Sequence, residues 1–90
     1  MNAQKQKTLI GLKKARSLLD KIVKMVEQDE YCIDIMQQNL AVIGLLKGVV
    51  KLLMEGHLRS CFSRAIDSGN ATRKQEMIEE ILTVSQLANK

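Results

Sequence analysis

The sequence predicts an all-α fold in a single domain, and three observations carry that prediction. Its 90 residues include no proline, no tryptophan, one tyrosine and one phenylalanine, so the aromatic residues that fill β-sandwich cores are nearly absent. The hydrophobic 46% is almost entirely aliphatic, and the charged 27% is mostly lysine and glutamate, which are good helix formers. Apolar residues recur at steps of three and four along most of the chain. Disorder is excluded by the frequency of apolar side chains, and the length allows one core, so residues 1–90 are read as one unit. So much aliphatic surface exceeds what a 90-residue monomer can hide, and burial against copies of the same chain is expected.

The first helix is placed at about residues 4–28, where Leu12, Ala15, Leu19, Ile22, Val23 and Val26 form one apolar face. Lys7, Lys14 and Lys21 make a straight stripe beside it, flanked by Lys13 and Lys24. Gly11 weakens the start of this helix. Gln28-Asp29-Glu30 interrupts the pattern, with Asp29 expected to cap the next helix. That second helix runs from about 30 to 67, and Gly44, Gly48 and Gly56 sit singly inside its pattern. Around Ala41 to Leu53 it is apolar on nearly every side, which one other helix cannot cover. Ser68-Gly69-Asn70 stops it, Thr72-x-x-Gln75 has capping-box spacing, and Ile78, Ile81, Leu82, Val84 and Leu87 give a short third helix over 72–88.

The net charge of +4 is unevenly spread: residues 1–26 carry a balance of +6 and residues 27–90 a balance of −2. An anionic partner is therefore expected at the first helix. Two cysteines are too few for a disulfide framework. Residues 1–7 are polar and basic, unlike a signal peptide, and the most apolar stretch, residues 40–54, is too short and too charged to span a bilayer. These features predict a reducing, cytoplasmic location.

The chemistry concentrates in Cys32, His57 and Cys61, both cysteines and the only histidine. His57 and Cys61 lie four apart on one helix face and can chelate one metal ion, although such pairs are often structural. Cys32 is about 25 residues away, roughly 38 Å along a continuous helix. The three cannot share a metal within one chain, but they can across an antiparallel pair of long helices related by a two-fold axis near residues 45–46. Gly44-x-x-x-Gly48 falls there, where small residues permit close approach. Each of two identical sites would take Cys32 from one subunit and His57 and Cys61 from the other. Two thiolates and an imidazole favour copper(I), with zinc as the generic competitor. The thiols must lose protons on binding, so affinity rises with pH.

Three stretches, Met25-Val26-Glu27-Gln28-Asp29-Glu30-Tyr31-Cys32-Ile33-Asp34-Ile35, Leu53-Met54-Glu55-Gly56-His57-Leu58-Arg59-Ser60-Cys61 and Ala65-Ile66-Asp67-Ser68-Gly69-Asn70, carry a likeness to a known family. In them the chain resembles the copper-sensitive operon repressors, a family of small all-helical metal-sensing regulators. The resemblance implies a three-helix protomer (medium, long, short) assembled as an antiparallel helical-bundle dimer and a dimer-of-dimers tetramer. It implies operator DNA bound by the metal-free protein and released when copper(I) fills Cys32, His57 and Cys61. Tyr31 matches a tyrosine just outside the ligands. Met77 stands where the family has a supporting glutamate, leaving Glu76 and Glu80 as the nearby carboxylates. The family's arginine-rich segment in the first helix reads Lys13-Lys14-Ala15-Arg16-Ser17-Leu18-Leu19-Asp20-Lys21 here.

Three functions are therefore weighed. One is a copper(I)-responsive repressor contacting operator DNA through Lys7, Lys13, Lys14, Arg16, Lys21 and Lys24. Another is a thiol- or persulfide-responsive regulator that bridges Cys32 and Cys61 of neighbouring subunits. The last is a copper-binding helical oligomer without DNA recognition. No nucleophile arrangement or phosphate loop points to an enzyme or a small-molecule substrate.

Overall fold

The computed structural model describes residues 3–89, so residues 1, 2 and 90 of the expected 1–90 unit lie outside it. It is helical throughout, in the order α1 (Ala3–Glu27), α2 (Cys32–Gly56), a π-helical turn (His57–Phe62), α3 (Ser63–Asp67) and α4 (Ala71–Ala88). Right-handed helical dihedrals persist at Gly56, His57, Phe62 and Ser63, so α2, the π turn and α3 form one rod. The longest dimension, 57 Å, is close to the length of that rod, roughly 54 Å at 1.5 Å per residue. Three rods are thus present, as the sequence predicts, with ends within two residues of the expected ones. The π turn is the feature that helical periodicity did not reveal.

Helices α1 and α2 form an antiparallel hairpin with a strict seam. The residues of α1 withdrawn from solvent are Gln4, Thr8, Gly11, Ala15, Leu18, Ile22 and Met25, and on α2 they include Ile35, Gln38, Val42, Leu45, Val49, Leu52 and Gly56. Both sets step by alternating threes and fours, the repeat that keeps a seam facing its partner. Ala15, Ile22 and Val42 form its centre, with Leu18, Ile35 and Leu45 packed around them. At Gly11 an added Cβ would stand 3.0 Å from Val49 Cγ2, so this glycine admits α2 rather than merely weakening the helix. The seam corrects the expected apolar face of α1. Ala15 and Ile22 are buried, whereas Leu12, Leu19, Val23 and Val26 are exposed.

The connections also differ from expectation. Asp29 does not cap α2; it closes α1. Its φ of 54° places it in the left-handed conformation, with Glu30 N donating to Met25 O at 3.0 Å and Asp29 N to Val26 O at 3.1 Å. That is the Schellman arrangement. Tyr31 takes the position before α2 with no side-chain cap. At the far end Gly69 has φ 73°, and Ser68 Oγ donates to Ala65 O at 2.6 Å while accepting from Asn70 N. Asn70 rather than Thr72 caps α4, its Oδ1 accepting from Arg73 N at 3.0 Å.

The single chain is not closed on itself. Its accessible surface is 6832 Å², against roughly 5300 Å² for a folded monomer of this mass. Its radius of gyration is 17.5 Å, against roughly 12 Å for a compact chain of this length. Much of the excess lies in two apolar stripes. On α1, Leu9, Leu12, Leu19, Val23 and Val26 are exposed; on α2, Ile33, Met36, Leu40, Ile43 and Val50 are exposed. No helix among the described residues is long and apolar enough to cross a membrane.

The seam also contains a cost. Thr8 is buried, and its hydroxyl has no hydrogen-bond partner, a loss of about 1–3 kcal/mol for such a group. Thr8→Val is expected to raise stability by about 1 kcal/mol in urea unfolding. Gly11→Leu is expected to lower it by about 1–3 kcal/mol, because its side chain must displace Val49.

Candidate metal centre

The π turn carries both His57 and Cys61. Ser60 Oγ donates to Gly56 O at 2.7 Å and Ser63 Oγ to Leu58 O at 3.0 Å. These hydroxyls occupy carbonyls where the backbone ladder shifts register, which stabilises the widened turn. Four residues remain close to one turn in either geometry, so His57 and Cys61 face the same side.

They line an open cleft of about 490 Å³ between the end of α2 and α4. Val50, Leu53, Met54, Ile81 and Val84 make it largely apolar, and Ser60 and Glu80 are its other polar side chains. His57, Ser60 and Cys61 are half-buried. Cys61 Sγ lies 3.8 Å from Ser60 Oγ. Of the two carboxylates expected near the ligands, only Glu80 reaches this cleft. Glu76 lies on a separate surface with Ala71, Thr72, Gln75 and Glu79. Arg73 joins them, with Nη1 at 3.1 Å from Glu76 Oε2 and 3.3 Å from Glu80 Oε1. These pairs are exposed and add little stability; they place Arg73 between the two carboxylates. Sequence reading did not anticipate Arg73, although its spacing of three and seven from the two glutamates was visible.

Cys32 and Tyr31 are at the opposite end of the rod, roughly 38 Å from His57 by helical rise. Both are exposed. Among the described residues, no three His, Cys, Asp or Glu side chains within the chain come together to hold a metal. The register of α2 supplies the missing relation. Ile33, Met36, Leu40, Ile43, Lys47, Val50, Met54, His57 and Cys61 step alternately by three and four, so the donor pair continues the exposed apolar stripe. Gly44 and Gly48 are not on it. They line a groove with Lys7, Ile10 and Lys14 of α1, and an added Cβ at either meets nothing within 4 Å. Within the chain, both glycines border the basic face of the hairpin.

That face is continuous along the hairpin. Lys13, Lys14 and Lys21 line its next stretch with Ile10, Ser17, Leu18 and Leu45. Among the described residues, no acidic side chain lines either part. Lys24 continues the stripe of Lys7, Lys14 and Lys21 by spacing, whereas Arg16 falls in register with the exposed Leu9, Leu12, Leu19 and Val23. The structure thus groups Lys7, Lys13, Lys14 and Lys21 along one groove, while Lys24 and Arg16 are placed by spacing alone.

Comparison with known proteins bears on both features. The family described as metal-sensitive transcriptional repressor matches residues 4–86. The copper-sensing transcriptional repressor CsoR of Mycobacterium tuberculosis is 39% identical over 82 residues, 91% of this chain and 66% of the relative. The chain thus spans slightly under two thirds of that protein's length. A copper-sensing transcriptional repressor CsoR of Bacillus subtilis is 38% identical over 73 residues, 81% of this chain and 69% of the relative. The copper-sensing transcriptional repressor RicR of M. tuberculosis is 30% identical over 84 residues, 93% and 88% of the respective chains.

The wall of the cleft formed by α4 depends on its first turn. Asn70→Ala removes the acceptor for Arg73 N and is expected to cost about 1 kcal/mol in urea unfolding. Asn70→Asp retains the acceptor and is expected to remain near the parent stability.

Proposed function

The chain belongs to the family of metal-sensitive transcriptional repressors, and on that premise we propose that it is a copper(I)-responsive repressor whose sensing site is shared between two copies. The observation that carries this reading is the single stripe on the long rod, with the exposed apolar residues in its middle, His57 and Cys61 at one end and Cys32 beside Ile33 at the other. An antiparallel second copy covers Ile33, Met36, Leu40, Ile43 and Val50 and brings its own Cys32 to His57 and Cys61. Centred near residue 47, the pairing sets Ile33 opposite Cys61 and Met36 opposite His57. The dyad repeats the site at the other end.

The donor set fits the metal. Two thiolates and one imidazole are soft, low-coordinate ligands for copper(I), and the cleft around His57 and Cys61 is apolar. Held by donors from both subunits, copper(I) would tie the two copies together. Cys32 and Cys61 hold it as thiolates, so their protons leave on binding, and His57 holds it as neutral imidazole. Tyr31 enters the site beside Cys32. Glu80 approaches from α4, oriented by Arg73, while Glu76 positions Arg73 from its far side.

The lysine face is the DNA surface. Lys7, Lys13, Lys14, Lys21 and Lys24 contact phosphates, a salt-sensitive and largely sequence-independent source of affinity. Arg16 extends that surface at its edge. The exposed stripe of α1 joins dimers into a tetramer, which multiplies the basic face along the operator. Metal binding and DNA binding favour different arrangements of the subunits, so each weakens the other by the same factor. Operator DNA and reduced thiols both place this activity in the cytoplasm. A thiol-responsive regulator that bridges Cys32 and Cys61 is the second reading, supported by the two exposed or half-buried free cysteines.

DNA-binding isotherms of the metal-free and copper-loaded protein test the proposal. A loss of affinity of about tenfold or more on loading is expected, a coupling of about 1.4 kcal/mol; identical isotherms would contradict it. His57→Ala is expected to bind DNA normally and to lose the copper response, whereas a retained response to sulfur donors supports the thiol reading. Lys14→Glu is expected to weaken DNA binding uniformly across sequences and to lower its salt dependence.

A further inference from the structure

One soft donor in the cleft has no part in the site described above. Met54 lies three residues before His57 and seven before Cys61, on the same stripe of the rod, and all three line the cleft against α4. Met54 is half-buried there. Neither of the cleft's other polar side chains is a soft donor: Ser60 Oγ donates to Gly56 O, and Glu80 is a hard carboxylate paired with Arg73. The thioether is therefore the free third donor within a single chain.

We propose that Met54, His57 and Cys61 form a three-donor site within each subunit, which takes a soft monovalent cation before Cys32 of a second copy joins it. This inference rests on the proposed metal-sensing role of His57 and Cys61. Thioether, imidazole and thiolate are all ligands that such an ion favours. Charge supports the same choice. One thiolate, formed as the Cys61 thiol releases its proton to solvent, neutralises a monovalent ion, and the complex is then uncharged in an apolar cleft. A divalent ion leaves a net positive charge there and lacks the fourth ligand that zinc requires. Completion by Cys32 replaces a subunit's own complex with one bridging two subunits, so Met54 gives the metal a landing place on either subunit.

The experiment titrates silver(I) into the parent protein, Cys32→Ala and Cys32→Ala/Met54→Leu. It reads affinity and the NMR signals of labelled methionine methyl groups. Cys32 is exposed at the start of α2, and leucine conserves the volume of Met54, so circular dichroism is expected to show the parent helicity in each. Cys32→Ala should still bind silver(I), with the Met54 methyl shifted and those of Met25, Met36 and Met77 unmoved. Met54→Leu should weaken that binding by about tenfold or more, with zinc affinity unchanged. A Met54 methyl that stays in place, an affinity within twofold of the Cys32→Ala protein, or no binding by Cys32→Ala would overturn the inference. Failure of the parent protein to bind silver(I) would instead overturn the metal-sensing role on which it rests.

Discussion

The length and continuity of one helical rod constrain the rest of this molecule. From Cys32 to Asp67 the backbone stays helical through a π turn, and a rod of that kind cannot fold back on itself. It separates one cysteine from the other donors by roughly 38 Å, so no single copy can complete a Cys-His-Cys site. The same rigidity makes a two-fold arrangement efficient. In the proposed dimer, the antiparallel copy that covers the apolar stripe also delivers the missing thiol, so surface burial and ligand convergence follow from one geometry.

The hairpin partner α1 makes the rod usable. One of its stripes is spent on the seam with α2, leaving a lysine stripe on one side and an apolar stripe on the other. The lysines share their groove with Gly44 and Gly48, whose lack of side chains leaves that groove open. The donors of the rod continue its apolar stripe instead. The proposed DNA surface and metal site are thus on different faces of one hairpin, linked through the packing of subunits and not through direct contact. This is the arrangement that reciprocal linkage needs: two sites, distinct in space, that favour different placements of the same rigid elements.

Much of this was legible in the sequence, and the parts that were not have physical reasons. The three rods followed from proline-free amphipathic periodicity, and their ends from Gly69 and the polar break at Gln28–Glu30. Which apolar stripe of α1 would be buried was not legible, because the seam uses Thr8, Gly11 and Ala15, which hydropathy ranks below the exposed Leu12, Leu19 and Val23. Asp29 reads equally well as the cap of one helix or the left-handed end of another, and only the paired hydrogen bonds to Met25 and Val26 decide. At the π turn Ser60 and Ser63 bond back to carbonyls, a feature that leaves no trace in hydrophobic spacing. In the candidate site, Cys32, His57 and Cys61 stood out as rare residue types. The separation of Glu80 from Glu76 depends on how α4 crosses the cleft, and Met54 was hidden among ordinary aliphatic positions.

The central claim is that one subunit supplies Cys32 and another supplies His57 and Cys61. Mixing two defective proteins, Cys32→Ala and His57→Ala, tests it most directly. After subunit exchange, a mixed dimer combines the intact Cys32 of one chain with the intact His57 and Cys61 of the other. Copper(I) titration of the exchanged mixture should recover high-affinity binding that neither protein shows alone, at one site per mixed dimer. A mixture that exchanges subunits and still binds no more tightly than its separate components would contradict the shared site.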